Sequence, residues 1–128
     1  MTYHFSKTLG LPFGAAIEKV TEALQKRGFG VLTTIDVKAT LKKKIDVDFR
    51  PYTILGACNP RLAYRALQEE DKIGAMLPCN VVVQQVDAGH VEVSAVDPVA
   101  SMQAIDNPDL GAIAAQVRAL LKEVVEGL

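Results

Sequence analysis

The sequence has little of what nucleic-acid-binding proteins usually carry. It contains no tryptophan, and aromatic residues make up only 5% of the chain, which is too few for the stacking surfaces that hold unpaired bases. Fourteen basic residues are balanced by 15 acidic ones, for a formal charge of −1. A chain with this balance has no positive surplus to attract nucleic acid or an anionic membrane. We therefore expect neither among its partners.

Long apolar runs and a cysteine framework are also missing. No stretch approaches the roughly 20 apolar residues of a membrane-spanning helix, and the N-terminus lacks the basic-then-apolar layout of a secretion signal. The two cysteines are too few for a disulfide scaffold. A cytoplasmic location with reduced thiols is the default expectation for such a chain.

What the chain does contain is enough for one folded core. Hydrophobic residues make up 49% of its 128 residues, and a domain of this length buries roughly two-thirds of its unfolded surface. The sequence shows no internal repeat, low-complexity tract or linker. It predicts a single domain over residues 1–128.

Hydrophobic periodicity predicts alternating strands and helices. Strands are expected at residues 2–8, 29–35, 52–58, 77–86 and 90–96, and helices are expected to begin near Pro12, Asp36, Asn59 and Asn107. The last two strands are joined by a predicted three-residue loop, 87–89, with Gly89 in the left-handed conformation. This order predicts an α+β fold in which helices pack mainly against one face of a sheet that is at least partly antiparallel.

Two Cys-Asn segments indicate a candidate ligand-binding site. Cys58-Asn59 ends the third predicted strand, and Cys79-Asn80 begins the fourth. If these strands are antiparallel, both segments lie at one end of the sheet; if they are parallel, they lie at opposite ends. In the antiparallel case, two thiols and two amides could line a small polar pocket for a ligand. Cys58, Asn59, Cys79 and Asn80 are therefore the predicted ligand-binding residues.

Each of these residues also has a purely structural interpretation. Cys58 precedes a helix N-terminus, which can lower a thiol pKa and produce a nucleophile, yet free cysteines are commonly small core residues. The core interpretation is stronger for Cys79, which shares a side of its strand with Val81. Asn59 is fully explained as a helix N-cap. Zinc usually requires four ligands, often with Cys-x-x-Cys spacing, which is absent, so no metal site is predicted and no cofactor is indicated.

Four segments, taken in order, resemble a known family. Residues 28–32 (GFGVL), 35–41 (IDVKATL), 52–60 (YTILGACNP) and 77–83 (LPCNVVV) together resemble the family called domain of unknown function 302. The resemblance implies a compact α+β fold with a curved, mainly antiparallel sheet of about five strands, similar to the TATA-binding-protein-like class. It also implies a homodimer, and it implies no particular reaction.

Three functions remain open at this point. The chain is either a non-catalytic homodimeric module that binds a small ligand, or a sulfur-carrier or redox protein in which Cys58 is the nucleophile and Cys79 assists, or a protein-interaction module with structural cysteines. The sequence contains no carboxylate pair next to apolar residues, no phosphate-binding glycine loop and no nucleophile-elbow serine. We favour the first function and expect no enzymatic activity.

Overall fold

A computed structural model describes residues 2–128; Met1, the first residue of the predicted domain, lies outside the described residues. The strands are β1 (His4–Leu9), β2 (Gly30–Asp36), β3 (Tyr52–Cys58), β4 (Cys79–Asp87) and β5 (His90–Val96). The helices are α1 (Phe13–Lys26), α2 (Val37–Ile45), α3 (Pro60–Glu69), α4 (Pro98–Ser101) and α5 (Pro108–Glu126), and a 3-10 helix spans Asp71–Met76.

The five strands form one sheet in the order β1-β5-β4-β3-β2, and every neighbouring pair is antiparallel. Helices pack on one side of this sheet, so the predicted α+β class is confirmed. The predicted strands agree with the observed ones to within about two residues. No helix within residues 2–128 combines the length and apolar character needed to cross a membrane.

The core lies between the sheet and the two long helices. Alternate residues of the central strands, such as Val81 and Val93, are completely buried because side chains alternate between the two faces of a strand. Val20 of α1 and Leu121 of α5 are equally buried on the helix side. The periodicity that predicted these strands and helices therefore also identified the residues that hold the two layers together.

Polar side chains cap the starts of α2 and α3, near positions where the sequence predicted helices to begin. The side chains of Asp36 and Asn59 accept hydrogen bonds from the backbone N–H groups of Ala39 and Leu62, at 2.9 and 3.3 Å. Each bond satisfies an amide that has no partner within the helix. Gly28 ends α1 with φ +84°, a left-handed conformation that glycine adopts without strain.

The hairpin between β4 and β5 differs from the prediction. Asp87 remains in the strand and pairs with His90, so the loop contains only Ala88 and Gly89, and Gly89 does not have a positive φ. The loop is held instead by Asp87, whose Oδ1 accepts the Gly89 N–H at 3.0 Å. This bond is the main reason why the pKa of Asp87 is lowered. The Asp87 side chain therefore stabilises this turn, whereas the sequence predicted that a left-handed Gly89 would form it.

Some helical details were also predicted incorrectly or missed. The apolar side chains of Leu67 in α3 and Ile45 in α2 are 44% and 64% exposed. Val37, Leu41 and Ile45 recur at i, i+4 and i+8, a spacing that predicts a buried apolar face, yet no residue of α2 is buried. The 3-10 helix and the four-residue α4 were not predicted, because segments this short carry no hydrophobic period.

The side of the sheet facing away from the core carries a mixed row of side chains. Ile35, Ile54, Val82, Ser94 and Ser6 lie opposite one another on successive strands. We call this row and its face the open sheet face. The two serine hydroxyls are hydrogen-bonded at 2.7 Å, and Ile35 is 47% exposed. The row is therefore apolar toward β2 and polar toward β1.

Candidate ligand site

The antiparallel pairing of β3 and β4 brings the two cysteines to one end of the sheet. Ala57 lies directly opposite Cys79 in the register, and Cys58 is the next residue along β3. Of the two arrangements that the sequence left open, the structure has the one in which the cysteine segments meet.

A cavity of about 30 Å³ lies at this end, between the sheet, α3 and α5. Cys58, Asn59 and Cys79 contribute to its wall. The other residues that line it are apolar: Phe29, Ala57, Leu62, Ala63, Ala66, Leu77, Met102, Leu110, Ile113, Ala114 and Val117. The wall of this cavity is mostly hydrocarbon and sulfur, unlike the small polar pocket that the sequence predicted.

Asn59 joins the helix cap to the cavity wall. Its Oδ1 accepts the Leu62 N–H, and its Nδ2 faces Gly28, where an added Cβ would lie 3.2 Å from that nitrogen. The start of α3 therefore holds the amide in place, and its nitrogen lies next to the end of α1. The cap role predicted for Asn59 is confirmed.

Asn80 lies away from this cavity. It follows Cys79 in β4, its side chain is exposed, and it borders a different surface depression together with Pro78 and Val96. Because successive residues of a strand point to opposite faces, a buried Cys79 places Asn80 on the open sheet face. The structure thus brings together three of the four predicted site residues.

Both thiols are free, and both are protonated near neutral pH. Burial raises the pKa of the partly exposed Cys58, and burial together with the nearby Cys58 charge raises the pKa of Cys79 to about 11. The sequence allowed a pKa of Cys58 lowered by the helix N-terminus, but its pKa is instead raised, and burial is the cause. A thiolate is the reactive form of cysteine, so this environment does not activate either sulfur as a nucleophile.

Met102 is a cavity residue that the sequence analysis did not identify. It follows α4 and reaches the same wall as Cys58 and Cys79. The sequence carried no signal for this, since Met102 lies in a short irregular segment distant from both cysteines. Only the packing of that segment against α5 brings Met102 to the cavity.

The two histidines lie outside the cavity wall. His4 Nδ1 is 2.7 Å from Ser6 Oγ, and His90 Nδ1 is 2.6 Å from Asp87 Oδ1. Across residues 2–128, no group of three or more histidine, cysteine, aspartate or glutamate side chains is placed to hold a metal ion. Any ligand in the cavity would therefore meet sulfur, one amide and apolar groups.

Comparison with known proteins identifies the family. The family described as domain of unknown function DUF302 matches residues 5–128. The chain belongs to this family. The earlier resemblance is therefore confirmed over nearly the whole sequence, although membership assigns no activity. No curated protein matches the sequence.

A solved DUF302 structure has the same fold. The crystal structure of an uncharacterised conserved DUF302 protein from Bacillus stearothermophilus superimposes with a TM-score of 0.90 and 31% sequence identity, over 98% of each chain. The architecture described above is thus shared within the family.

Proposed function

We propose that this DUF302 protein is a non-catalytic, cytoplasmic binding module that acts as a homodimer and holds a small ligand at the cysteine end of its sheet. The observation that carries the proposal is the cavity that Cys58, Asn59 and Cys79 line together. Asn80 borders a different surface and is not part of the proposed site. The wall offers binding groups but no acid–base pair that would support catalysis.

The environment of the thiols favours binding over thiol catalysis. A sulfur carrier or redox protein needs an accessible thiolate at neutral pH. Burial raises the pKa of both Cys58 and Cys79, the latter to about 11, so the thiolate fraction of each is small. A ligand that contacts neutral thiols and hydrocarbon fits this wall better.

The open sheet face supports the dimer. Within residues 2–128 the helices pack on the other side of the sheet, and Ile35, Ile54 and Val82 lie side by side on three strands. A twofold contact between two such faces would bury these side chains against one another, because the same patch serves both subunits. A second copy of the chain is therefore the partner we propose for this face.

Native mass spectrometry of protein purified without chelator tests the ligand. We expect an adduct that is lost on denaturation, and we expect Ala63→Leu, which fills the cavity wall beside α3, to abolish it. Ala112→Leu, at an exposed position of α5, is the matched control and should retain the adduct. An adduct that survives Ala63→Leu would place the ligand elsewhere. A clean native mass, with no stabilisation by added small ligands, would favour the protein-interaction alternative.

Light scattering tests the dimer independently. The wild type should have twice the 13.8 kDa chain mass, and Val82→Lys should be monomeric because two lysines would face each other across the twofold axis. Val47→Lys changes a 41% exposed valine in a loop and should remain dimeric. A monomeric wild type, or a Val82→Lys variant as dimeric as the control, would refute this interface.

A further inference from the structure

The cavity at the cysteine end of the sheet lies between two hydrophobic clusters. Ala57, Cys79 and Val117 belong to the main core, whereas Ala66 and Ile113 belong to a second cluster beside α3, and all five line the cavity. Protein interiors are close-packed, and voids larger than a water molecule are few in any domain. We propose that the small ligand inserts an uncharged aliphatic group of about two or three carbon atoms into this space. This inference rests on the proposed binding function and names its ligand class.

The wall carries no charged group that would hold an ion. Within residues 2–128, no aspartate, glutamate, histidine, lysine or arginine lines the cavity. Burial keeps the Cys79 thiol protonated, with its pKa raised to about 11. An ionised group placed here would lose its hydration without gaining a partner of opposite charge, which is costly. The inserted part of the ligand is therefore neutral.

The same wall disfavours water. A buried water usually makes about two to four hydrogen bonds. The side chains that residues 2–128 contribute offer only weakly polar thiols and the Asn59 amide, whose oxygen already accepts the Leu62 N–H. Apolar cavities stay dry and take up apolar molecules. A hydrocarbon group thus gains more from this space than water does.

The volume of the cavity limits the length of the inserted group. The cavity measures about 30 Å³, and one water-sized body needs roughly 10–15 Å³ by the same measure. The space therefore takes about two or three bodies of that size, which corresponds to a chain of as many carbon atoms. Sites that enclose a whole organic ligand are generally about 300–1,000 Å³. Only one end of a larger ligand therefore enters.

The rest of the ligand lies where solvent reaches the wall. Cys58, Asn59 and Ala63 are half-buried, whereas Cys79 and Ala66 are buried. Because the Asn59 oxygen is engaged, this amide offers a ligand only the N–H donors of Nδ2. A short aliphatic chain that ends in a hydroxyl or carbonyl oxygen matches both parts of the site.

Straight-chain primary alcohols from methanol to 1-hexanol test the size limit. Binding is followed by two-dimensional NMR of ¹³C-labelled alanine and methionine methyl groups. Ala66 and Met102 are the reporters in the wall, and Ala88 and Met76 are the reporters outside it. Each methylene that enters the cavity should raise the affinity by about 4-fold. We expect this gain to stop after about two or three carbons, because the remaining chain stays in solvent.

Two pairs of variants locate the binding. Ala63→Leu fills the wall beside α3 and should lower the affinity by about 15-fold, the gain from two inserted methylenes, whereas Ala112→Leu, at an exposed position, should leave it unchanged. Met102→Ala removes Cγ, Sδ and Cε from the wall and should raise the chain-length limit by about two or three carbons. Met76→Ala, at a 40% exposed methionine outside the cavity, should not move the limit. The methionine pair keeps the site testable if Ala63→Leu folds poorly.

The outcomes separate this inference from the proposed function. An affinity that rises evenly through 1-hexanol, equal limits in Met102→Ala and Met76→Ala, or no saturable shift of the Ala66 and Met102 methyl groups would refute the aliphatic site. The binding function would still stand if native mass spectrometry found an adduct sensitive to Ala63→Leu. If neither such an adduct nor alcohol binding is found, both proposals fail.

Discussion

Cys79 should make the stability of this fold depend on alkaline pH. Its thiol is 7% exposed, and burial, followed by the charge of Cys58, raises its pKa from an ordinary 9.0 to about 11. In the unfolded chain the thiol is hydrated and loses its proton near the ordinary value. Between these two pH values the folded state holds a proton that the unfolded state has released.

The sign and size of the effect follow from proton linkage. A raised folded-state pKa of an acid means that the stabilisation is complete below about pH 9 and is lost as the pH rises towards 11. The free energy of unfolding should fall by about 1.4 kcal/mol per pH unit across this window, or about 3 kcal/mol in all. That is a substantial share of the 5–15 kcal/mol that stabilises typical domains.

Urea unfolding measured from about pH 8 to about pH 11 tests this prediction. Lysines and tyrosines also titrate there, so the quantity to follow is the stability of the wild type minus that of Cys79→Ala, in which those groups cancel. The difference should shrink as the pH rises. Cys58→Ala, which removes only the secondary cause, should keep most of the wild-type slope. A difference that stays constant across the range would show that Cys79 is not held protonated by burial.

Two further predictions concern the frame of the site. Gly56→Ala places a Cβ within 3.0 Å of Thr33 Oγ1 and Pro78 Cγ, so overpacking should lower the free energy of unfolding in urea by about 1–3 kcal/mol. Gly111→Ala has open space around it and should stabilise α5 by up to about 1 kcal/mol. Equal effects of the two substitutions would contradict this packing. Asn59→Ala removes the cap of α3 and should lower stability by about 1 kcal/mol, seen as a reduced Tm, and an unchanged Tm would show that the cap bond contributes nothing.

Local chemistry explains why the fold was largely predictable. The Asn59-Pro60 pair predicts a helix start independently of the tertiary structure, because a side-chain cap and the fixed φ of proline act over only a few residues. In β5, Val91, Val93 and Ala95 alternate with polar residues and are completely buried, so a local pattern also marks the buried face of this strand. Gly89 shows the limit of such reasoning, since a glycine at a hairpin permits a positive φ without requiring one, and Asp87 closes the turn by another bond.

The site was predictable only in part, for reasons that particular residues show. Strand alternation alone separates Asn80 from a buried Cys79, so sequence reasoning could have excluded it. Met102 could not have been found, because only tertiary packing brings it to the cavity. Burial raises the pKa of Cys58, and a local sequence motif does not determine how deeply a residue is buried.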